Sequence, residues 1–546
     1  MKKITLLITS FNGLSQAVYC YLKEHNYIVD IVYAKSITKD SEIEKFSPDI
    51  ILSPFLKDFI SEDIYENYPT FVYHPGIIGD RGAYSLEWAL QKEKKEWGGV
   101  WLRANALYDG GDIYANGTFR LRDTTKASIY RVDQKELALK LLPFLLENIK
   151  KDQKQPQILN PIHDRYTTQI DWLNDTTKTI IKKINRLDSF PGVKDTILGV
   201  ECYLFGAWDE DRLRGDNPKE ILAKRDGAIC LATIDGAIWI THLKEIGKFK
   251  LPATYILKDK LKGVKEDRIP LIFDRSYQTF YEISCDIKDQ IGYLKFNFHN
   301  GAFRAEQCVR LKYAIEYLKE QVKVLVLCGG DDFFSNGINL NILEDSKKSG
   351  EDGWSNINAI NDLIRTIIFS QDIITVASLS KNAGAGGVFL ALACDYVVCS
   401  KSVVLNPHYK TIGLSGSEYH TYSMKKRVTK EKAKELLDSC LPIGANEAKK
   451  IGLVDEVFSD NYIEDLENFT QNLIEDEDIY EDFIWDKEEY LEDNRAFIEQ
   501  HREDEIKVMY PEFWEEDSYF HTLRKEFVYK ICPTMTPKRL KCYNNE

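Results

Sequence analysis

Ser378-Leu379-Ser380-Lys381-Asn382-Ala383-Gly384-Ala385-Gly386-Gly387 leaves the end of an apolar segment, 373–379, and runs directly into Val388-Phe389-Leu390-Ala391-Leu392-Ala393-Cys394-Asp395. A strand-length apolar run, a turn of small residues and a helix-like apolar run together predict one strand–turn–helix step of an α/β layer. Glycines ahead of a helix let backbone N–H groups approach a ligand, and the helix dipole favours negative charge developing there. A second loop of this kind, Phe334-Ser335-Asn336-Gly337-Ile338-Asn339-Leu340, follows the apolar run 323–328. Two such loops in one domain can supply a pair of N–H donors to an oxygen that gains charge.

Outward from these loops, the α/β pattern fills residues 280–458. Toward the N-terminus, 258–279 reads as a linker. Residues 165–257 hold short strands (Ile221-Leu222-Ala223, Ala228-Ile229-Cys230-Leu231, Ala237-Ile238-Trp239-Ile240) separated by Gly, Asp and Asn, the pattern of a small β-barrel. Residues 1–164 alternate apolar runs (3–8, 28–33, 49–53, 70–73) with helical segments (13–25, 85–95), which predicts an open parallel sheet. The polar stretch Lys150-Lys151-Asp152-Gln153-Lys154-Gln155-Pro156 marks the end of that pattern. Residues 459–546 form an acidic, helical region, and its run Glu475-Asp476-Glu477-Asp478 reads as a solvated helix face.

Composition narrows the function classes. The 546 residues are 44% apolar and 12% aromatic, enough for several cores. A formal charge of −14 disfavours nucleic acid or an anionic membrane as partner. The apolar run after Met1-Lys2-Lys3 stops at Thr9-Ser10 without a cleavage site, so it reads as a first buried strand. No apolar stretch approaches the length of a membrane span. Eleven scattered cysteines without a Cys-x-x-Cys pair predict reduced core residues in a cytoplasmic protein, and no metal site.

A second constellation lies in the N-terminal part. Phe71-Val72-Tyr73-His74-Pro75-Gly76-Ile77-Ile78-Gly79-Asp80-Arg81-Gly82 puts a His-Pro turn after a strand, at the sheet edge where open α/β folds bind ligands. Further on, Ala106-Leu107-Tyr108-Asp109-Gly110-Gly111-Asp112-Ile113 sets an Asp on a Gly-rich turn. A carboxylate beside an imidazole orients the ring for proton transfer near neutral pH.

These words, with Gln169-Ile170-Asp171-Trp172 and Ile184-Asn185-Arg186-Leu187-Asp188-Ser189-Phe190-Pro191-Gly192, resemble the folate-dependent formyltransferases over 1–257. The resemblance implies that His74 and Asp109 are catalytic and that 10-formyltetrahydrofolate is the substrate, with tetrahydrofolate released. The family's catalytic Asn, two places before the His, is Val72 in this chain.

The two C-terminal loops, with Ala393-Cys394-Asp395 and Ala448-Lys449-Lys450-Ile451-Gly452-Leu453-Val454-Asp455, resemble the enoyl-CoA hydratase/isomerase (crotonase) family over 280–458. That implies an α/β spiral fold that binds coenzyme A, with Ile338 and Gly386 donating the oxyanion-hole N–H groups. The two hydratase glutamate positions are Phe389 and Tyr409, so water addition is not implied. Asn406-Pro407-His408-Tyr409-Lys410 and Gly416-Ser417-Glu418-Tyr419-His420-Thr421-Tyr422 remain nearby and offer Tyr409 and Glu418 as proton carriers. Arg131 and the cluster Lys538, Arg539 and Lys541 are candidates for the CoA phosphates.

The fused order of modules resembles a family of hydrogenase maturation proteins. The resemblance implies formyl transfer from the folate to CoA, then decarbonylation of formyl-CoA to give the CO ligand of [NiFe]-hydrogenase iron, with the maturation machinery receiving it. A formyl-folate hydrolase or amine formyltransferase, and a non-catalytic CoA- or folate-binding scaffold, stay open as alternatives.

Overall fold

The computed structural model describes residues 2–36, 41–273 and 275–542. They divide into two units, the first from 1–268, 274–280 and 532–546, the second from 269–273 and 281–531.

The first unit holds two sheets. In one, the strands run in the order Ile28–Tyr33, Lys3–Ile8, Ile50–Ser53, Thr70–His74, Glu96–Arg103, Ile113–Arg120. The first four are parallel, and Lys3–Ile8 is buried along nearly its whole length, as the continuous apolar run of a two-sided strand requires. The last two are antiparallel additions. The short link from Arg103 to Ile113 cannot carry a crossover, so the chain has to fold back on itself there. Helices Gly13–Glu24 and Lys135–Lys151 each bury one apolar stripe.

The second sheet has the order Val193–Ile197, Val200–Glu210, Ala237–Glu245, Ala228–Ala232, Ile221–Arg225, antiparallel throughout. Helix Thr177–Arg186 lays Ile180 and Ile184 onto Leu204, Leu231 and Ile238, all fully buried. Each such side chain contributes about 1.5–3 kcal/mol through burial. Arg225 is sealed against Trp239 and bonded by Asp267, Thr279 and the Phe280 carbonyl, which satisfies a charge that burial alone would penalise.

The second unit is built on the sheet Ile283–Lys288, Ile291–Phe296, Val324–Cys328, Ile374–Leu379, Tyr396–Ser400, Glu456–Phe458. From Ile291–Phe296 onward it is parallel. Small satellite ladders follow the main strands: Ala302–Phe303 pairs with Gly337–Ile338, and Ala383–Gly384 with Val404–Asn406. The acidic C-terminal region is helical, with Tyr462–Asn472, the 38-residue helix Glu477–Trp514 and Tyr519–Tyr529. Its acidic run starts the long helix: Asp476 caps it and Glu477 pairs with Lys323. Among the described residues no helix is long and apolar enough to cross a membrane.

Candidate functional site

His74 ends the strand Thr70–His74, at the carboxyl edge of the parallel strands, and its side chain is buried. The turn behind it is held from three sides. Trp97 Nε1 donates to the Pro75 carbonyl at 3.0 Å, the Tyr73 hydroxyl donates to Gln134 Oε1 at 2.5 Å, and Gln134 Nε2 donates to the Gly98 carbonyl at 2.9 Å. The imidazole lies between two carboxylates, with Nε2 3.0 Å from Asp80 Oδ2 and Nδ1 3.4 Å from Asp109 Oδ2. Gly76 makes this possible: a Cβ there would meet Asp80 Oδ2 and His74 Nε2, and lie 2.8 Å from His74 Cδ2.

Asp109 occupies a left-handed backbone conformation (φ 48°) on its Gly-rich turn, and the Gly82 N–H donates to its Oδ2 at 2.9 Å. Gln157 ties the two turns together. Its Oε1 accepts from Gly79 N–H at 2.9 Å, and its Nε2 donates to the Asp109 and Gly111 carbonyls at 3.1 and 2.7 Å. Val72, on the same strand face as His74, packs against Val100, Leu102 and Ile113, so an apolar floor stands where the formyltransferase pattern has an amide.

Thus His74 and Asp109 come together as the sequence suggested, while Asp80 and Gln157 were not singled out. Asp80 sits in a word already quoted, six residues after His74, but nothing local says that the chain turns back onto the ring.

In the second unit the two glycine loops lie side by side. Phe334 N–H donates to the Asn382 carbonyl at 2.9 Å, Gly384 N–H to the Ser335 carbonyl at 2.9 Å, and a Cβ on Gly337 would stand 3.0 Å from the Gly386 nitrogen. Ile338 and Gly386 therefore belong to adjoining backbone segments, Gly386 at the start of the buried helix Gly386–Leu392.

Against that helix start lies Glu418. A Cβ on Gly386 would run into Glu418 Oε1 and lie 2.9 Å from its Cδ. The Glu418 carboxylate accepts the Ser417 N–H and hydroxyl, each at 3.0 Å, and its own N–H donates to Asn361 Oδ1 at 3.0 Å. Glu418 and Tyr419 are consecutive left-handed residues (φ 63° and 54°). That strained pair persists because Asn361, Ser417 and the long helix hold it from outside.

Tyr409 is buried, with its ring stacked on Phe389 at 5.3 Å, and its hydroxyl donates to the Ser417 carbonyl at 3.2 Å and bonds Glu418. A Cβ on Gly416 would collide with the Tyr409 ring, so the loop can pass only as glycine, in a left-handed conformation (φ 99°). Burial pushes the Glu418 carboxyl above its ordinary pKa, against the hydrogen bonds from Tyr409 and Ser417 that pull it down. Burial and the Glu418 charge together push the Tyr409 phenol well up.

The long helix supplies three further carboxylates to this loop. Glu499 accepts from the Tyr419 hydroxyl at 3.1 Å, Glu505 from Thr421 N–H at 2.7 Å, and Glu512 from Ser415 N–H at 2.9 Å. None was picked out from the sequence, although one signal was available. The buried positions Leu491, Ile498, Glu505 and Met509 form an apolar stripe at helical spacing, and a carboxylate on such a stripe needs a partner.

The basic candidates fare differently. Lys541 is buried and paired with Glu42 at 2.8 Å and Asp30 at 3.6 Å, so a phosphate would have to displace two carboxylates. Lys538 is exposed, and Arg539 is half-buried near Tyr33. Arg131 is half-buried on a π-helical turn, Tyr130–Gln134. There it adds to Lys250 in holding Asp188 below the usual carboxylate range, against the effect of burial.

A His-carboxylate site on a formyltransferase-like module, in one chain with paired glycine loops on a crotonase-like module, marks a two-module enzyme built from formyltransferase-type and enoyl-CoA hydratase/isomerase-type domains. Family models agree on both parts: the enoyl-CoA hydratase/isomerase model matches residues 286–483, and the formyl transferase C-terminal domain model matches 164–261. The chain is 33% identical to the hydrogenase maturation factor HoxX of Bradyrhizobium diazoefficiens, over 98% of this chain and 96% of that protein. It is 40% identical to HypX from Aquifex aeolicus in its crystal structure with tetrahydrofolic acid, covering 100% of this chain and 99% of that one with a TM-score of 0.94. The chain belongs to the HypX/HoxX family of hydrogenase maturation factors.

Proposed function

We propose that this enzyme moves the formyl group of 10-formyltetrahydrofolate to the thiol of coenzyme A and then splits formyl-CoA into CO and free CoA, supplying CO to the active-site iron of [NiFe]-hydrogenase. The observation that carries the reading is the buried Glu418 carboxylate lying directly against Gly386, one of the two backbone segments suited to a thioester oxygen. A base at that point is placed for a proton on the carbonyl carbon itself, which a formyl thioester has.

In the first module, Asp80 would hold the His74 Nε2–H, leaving Nδ1, on the Asp109 side of the ring, to take the thiol proton as sulfur attacks the formyl carbon. As the C–N bond to the folate breaks, His74 gives that proton to the leaving nitrogen and tetrahydrofolate departs. The bound tetrahydrofolic acid of the Aquifex aeolicus relative supports folate as donor. In the second module, the N–H groups of Ile338 and Gly386 would hold the formyl oxygen while Glu418 accepts the formyl proton. The C–H electron pair stays on carbon as the C–S bond breaks, giving CO and thiolate, and Tyr409 and Glu418 return the proton to sulfur. The balance is HC(O)S–CoA to CO plus HS–CoA. Phe389 and Tyr409, where hydratases carry glutamates, remove the acid–base pair that adds water to an enoyl-CoA. Arg131, Lys538 and Arg539 are the cations proposed for the CoA phosphates.

The test is incubation with 10-formyltetrahydrofolate and CoA, with a haem protein trapping CO. CO equal in amount to tetrahydrofolate is expected. Tetrahydrofolate with formate and no CO would instead mean a formyl-folate hydrolase.

A further inference from the structure

His420 follows the Glu418–Tyr419 pair and starts the helix His420–Arg427, with its ring almost fully buried. Its Nδ1 lies 3.0 Å from the Ser417 carbonyl and 3.2 Å from Glu505 Oε1. A carbonyl can only accept, so Nδ1 carries the proton in either charge state. The ring edge meets both aromatic rings of the site, 5.5 Å from Phe389 and 5.5 Å from Tyr409. Glu505 is equally buried. Its Oε1 also accepts from the Thr421 N–H and hydroxyl at 2.7 and 2.5 Å, while its Oε2 has no hydrogen-bond partner. A buried carboxylate with one oxygen unsatisfied is costly unless a cation lies beside it, and His420 is the cation that the geometry supplies.

We propose that His420 and Glu505 form a buried ion pair that acts as a positioning device for Glu418, placing a fixed positive charge beside a carboxylate that must be ionised to accept the formyl proton. This rests on the assignment of the second module to formyl-CoA decarbonylation.

The physical need is specific. Glu418 is removed from water, and burial raises its pKa. Burial alone favours the protonated carboxyl, which cannot act as a base. The pull in the other direction comes from Tyr409, Ser417 and, through space, His420. His420 is itself opposed by burial, but the Glu505 carboxylate holds its pKa above the ordinary imidazole value.

Other ionisable groups face the pair from each packed element: Tyr409 and Glu418 from the site loops, and His501 from the long helix, bonded to the Thr421 hydroxyl at 2.7 Å. Cys308 from Ala305–Leu318 senses the Glu418 charge, and burial together with Lys425 keeps His501 below the usual imidazole range. His501 therefore leaves the positive charge to His420.

The sign of the effect follows. Removing the cation raises the Glu418 pKa, so the rising limb of the pH profile for CO release must move to higher pH. An opposite charge within about 4–6 Å is worth roughly one to three pKa units.

The experiment uses the full-length protein with formyl-CoA as substrate and a haem protein as CO trap, across pH, for wild type, His420→Gln, Glu505→Gln and Glu418→Gln. Both pair variants should lose at least about tenfold in kcat at pH 7, recover toward the wild-type rate at higher pH, and keep KM within about twofold. Glu418→Gln should be inactive at every pH. The His420 ring, read by imidazole nitrogen shifts in 15N-histidine-labelled protein and assigned from His420→Gln, should be cationic at pH 7 and neutral in Glu505→Gln. An unshifted limb with a uniform loss of rate would overturn the inference in favour of a packing role, as would a neutral ring in the wild type. Wild-type protein that releases no CO from formyl-CoA would overturn the functional reading instead, while the nitrogen shifts would still report on the ion pair.

Discussion

Gly386→Ala tests the second site by adding one carbon at its most crowded point. Gly386 opens a helix with an ordinary negative φ, so alanine is compatible with the backbone there and gains about 1 kcal/mol of helix propensity over glycine. The new Cβ would stand 2.9 Å from Glu418 Cδ and 3.4 Å from its Cγ, with Oε1 closer still. Ordinary contact needs about 3.5–4 Å, so the carboxylate has to retreat by about 1 Å. It has little freedom to do so, because Ser417 holds the carboxylate and Asn361 holds the Glu418 backbone N–H. Overpacking at such a point costs about 1–3 kcal/mol, partly offset by the helix term, so the fold should survive with a small loss of thermal midpoint. A reacting group misplaced by about 1 Å loses about a hundredfold in rate. CO release from formyl-CoA should therefore fall by about that factor while tetrahydrofolate release continues. Undiminished CO output from Gly386→Ala would refute the placement of Glu418 as the base beside the thioester oxygen.

His74→Ala and Asp109→Asn should each lower tetrahydrofolate release by about 10²–10⁴, and Asp80→Asn should join them because Asp80 holds the other ring nitrogen; normal turnover in Asp80→Asn, measured by folate absorbance, would return that residue to a structural role. Tyr409→Phe and Glu418→Gln should stop CO formation while tetrahydrofolate release persists, so that formyl-CoA or formate accumulates in the product assay. Charge reversal at Lys538 and Arg539 should weaken CoA binding and reduce its salt dependence in calorimetry. Lys541→Ala should instead lower stability by about 3–5 kcal/mol, since it strands a buried carboxylate, and leave CoA affinity unchanged in protein that stays folded.

What the sequence disclosed depended on how local each feature is. The His74 and Asp109 turns, and the loops at 334–340 and 378–387, are strand-to-turn words in which residue type and position travel together, so both the fold class and the pairings could be read from them. Asp80 needed the geometry of a tight return, which Gly76 makes possible and no spacing rule announces. The helix around Glu505 was legible as acidic and helical, but most of its carboxylates do meet solvent. Only the three-dimensional packing separates Glu499, Glu505 and Glu512 from their neighbours. Lys541 was misleading for a related reason: a basic cluster near a chain end resembles a phosphate site until its buried partners, Asp30 and Glu42, are seen.

The link from Lys541 to Asp30 and Glu42, with Thr536 accepting from the Tyr33 N–H and the Cys542 N–H donating to Asp30, brings a late segment of the chain onto the second strand of its first sheet. A ribosome therefore delivers the folate-type module in three instalments, with about 250 residues of the other unit before the last. At about 5–20 residues per second that interval lasts on the order of 12 to 50 seconds. Throughout it Asp30 is without its lysine, so the first module waits, incomplete, for the second to be made.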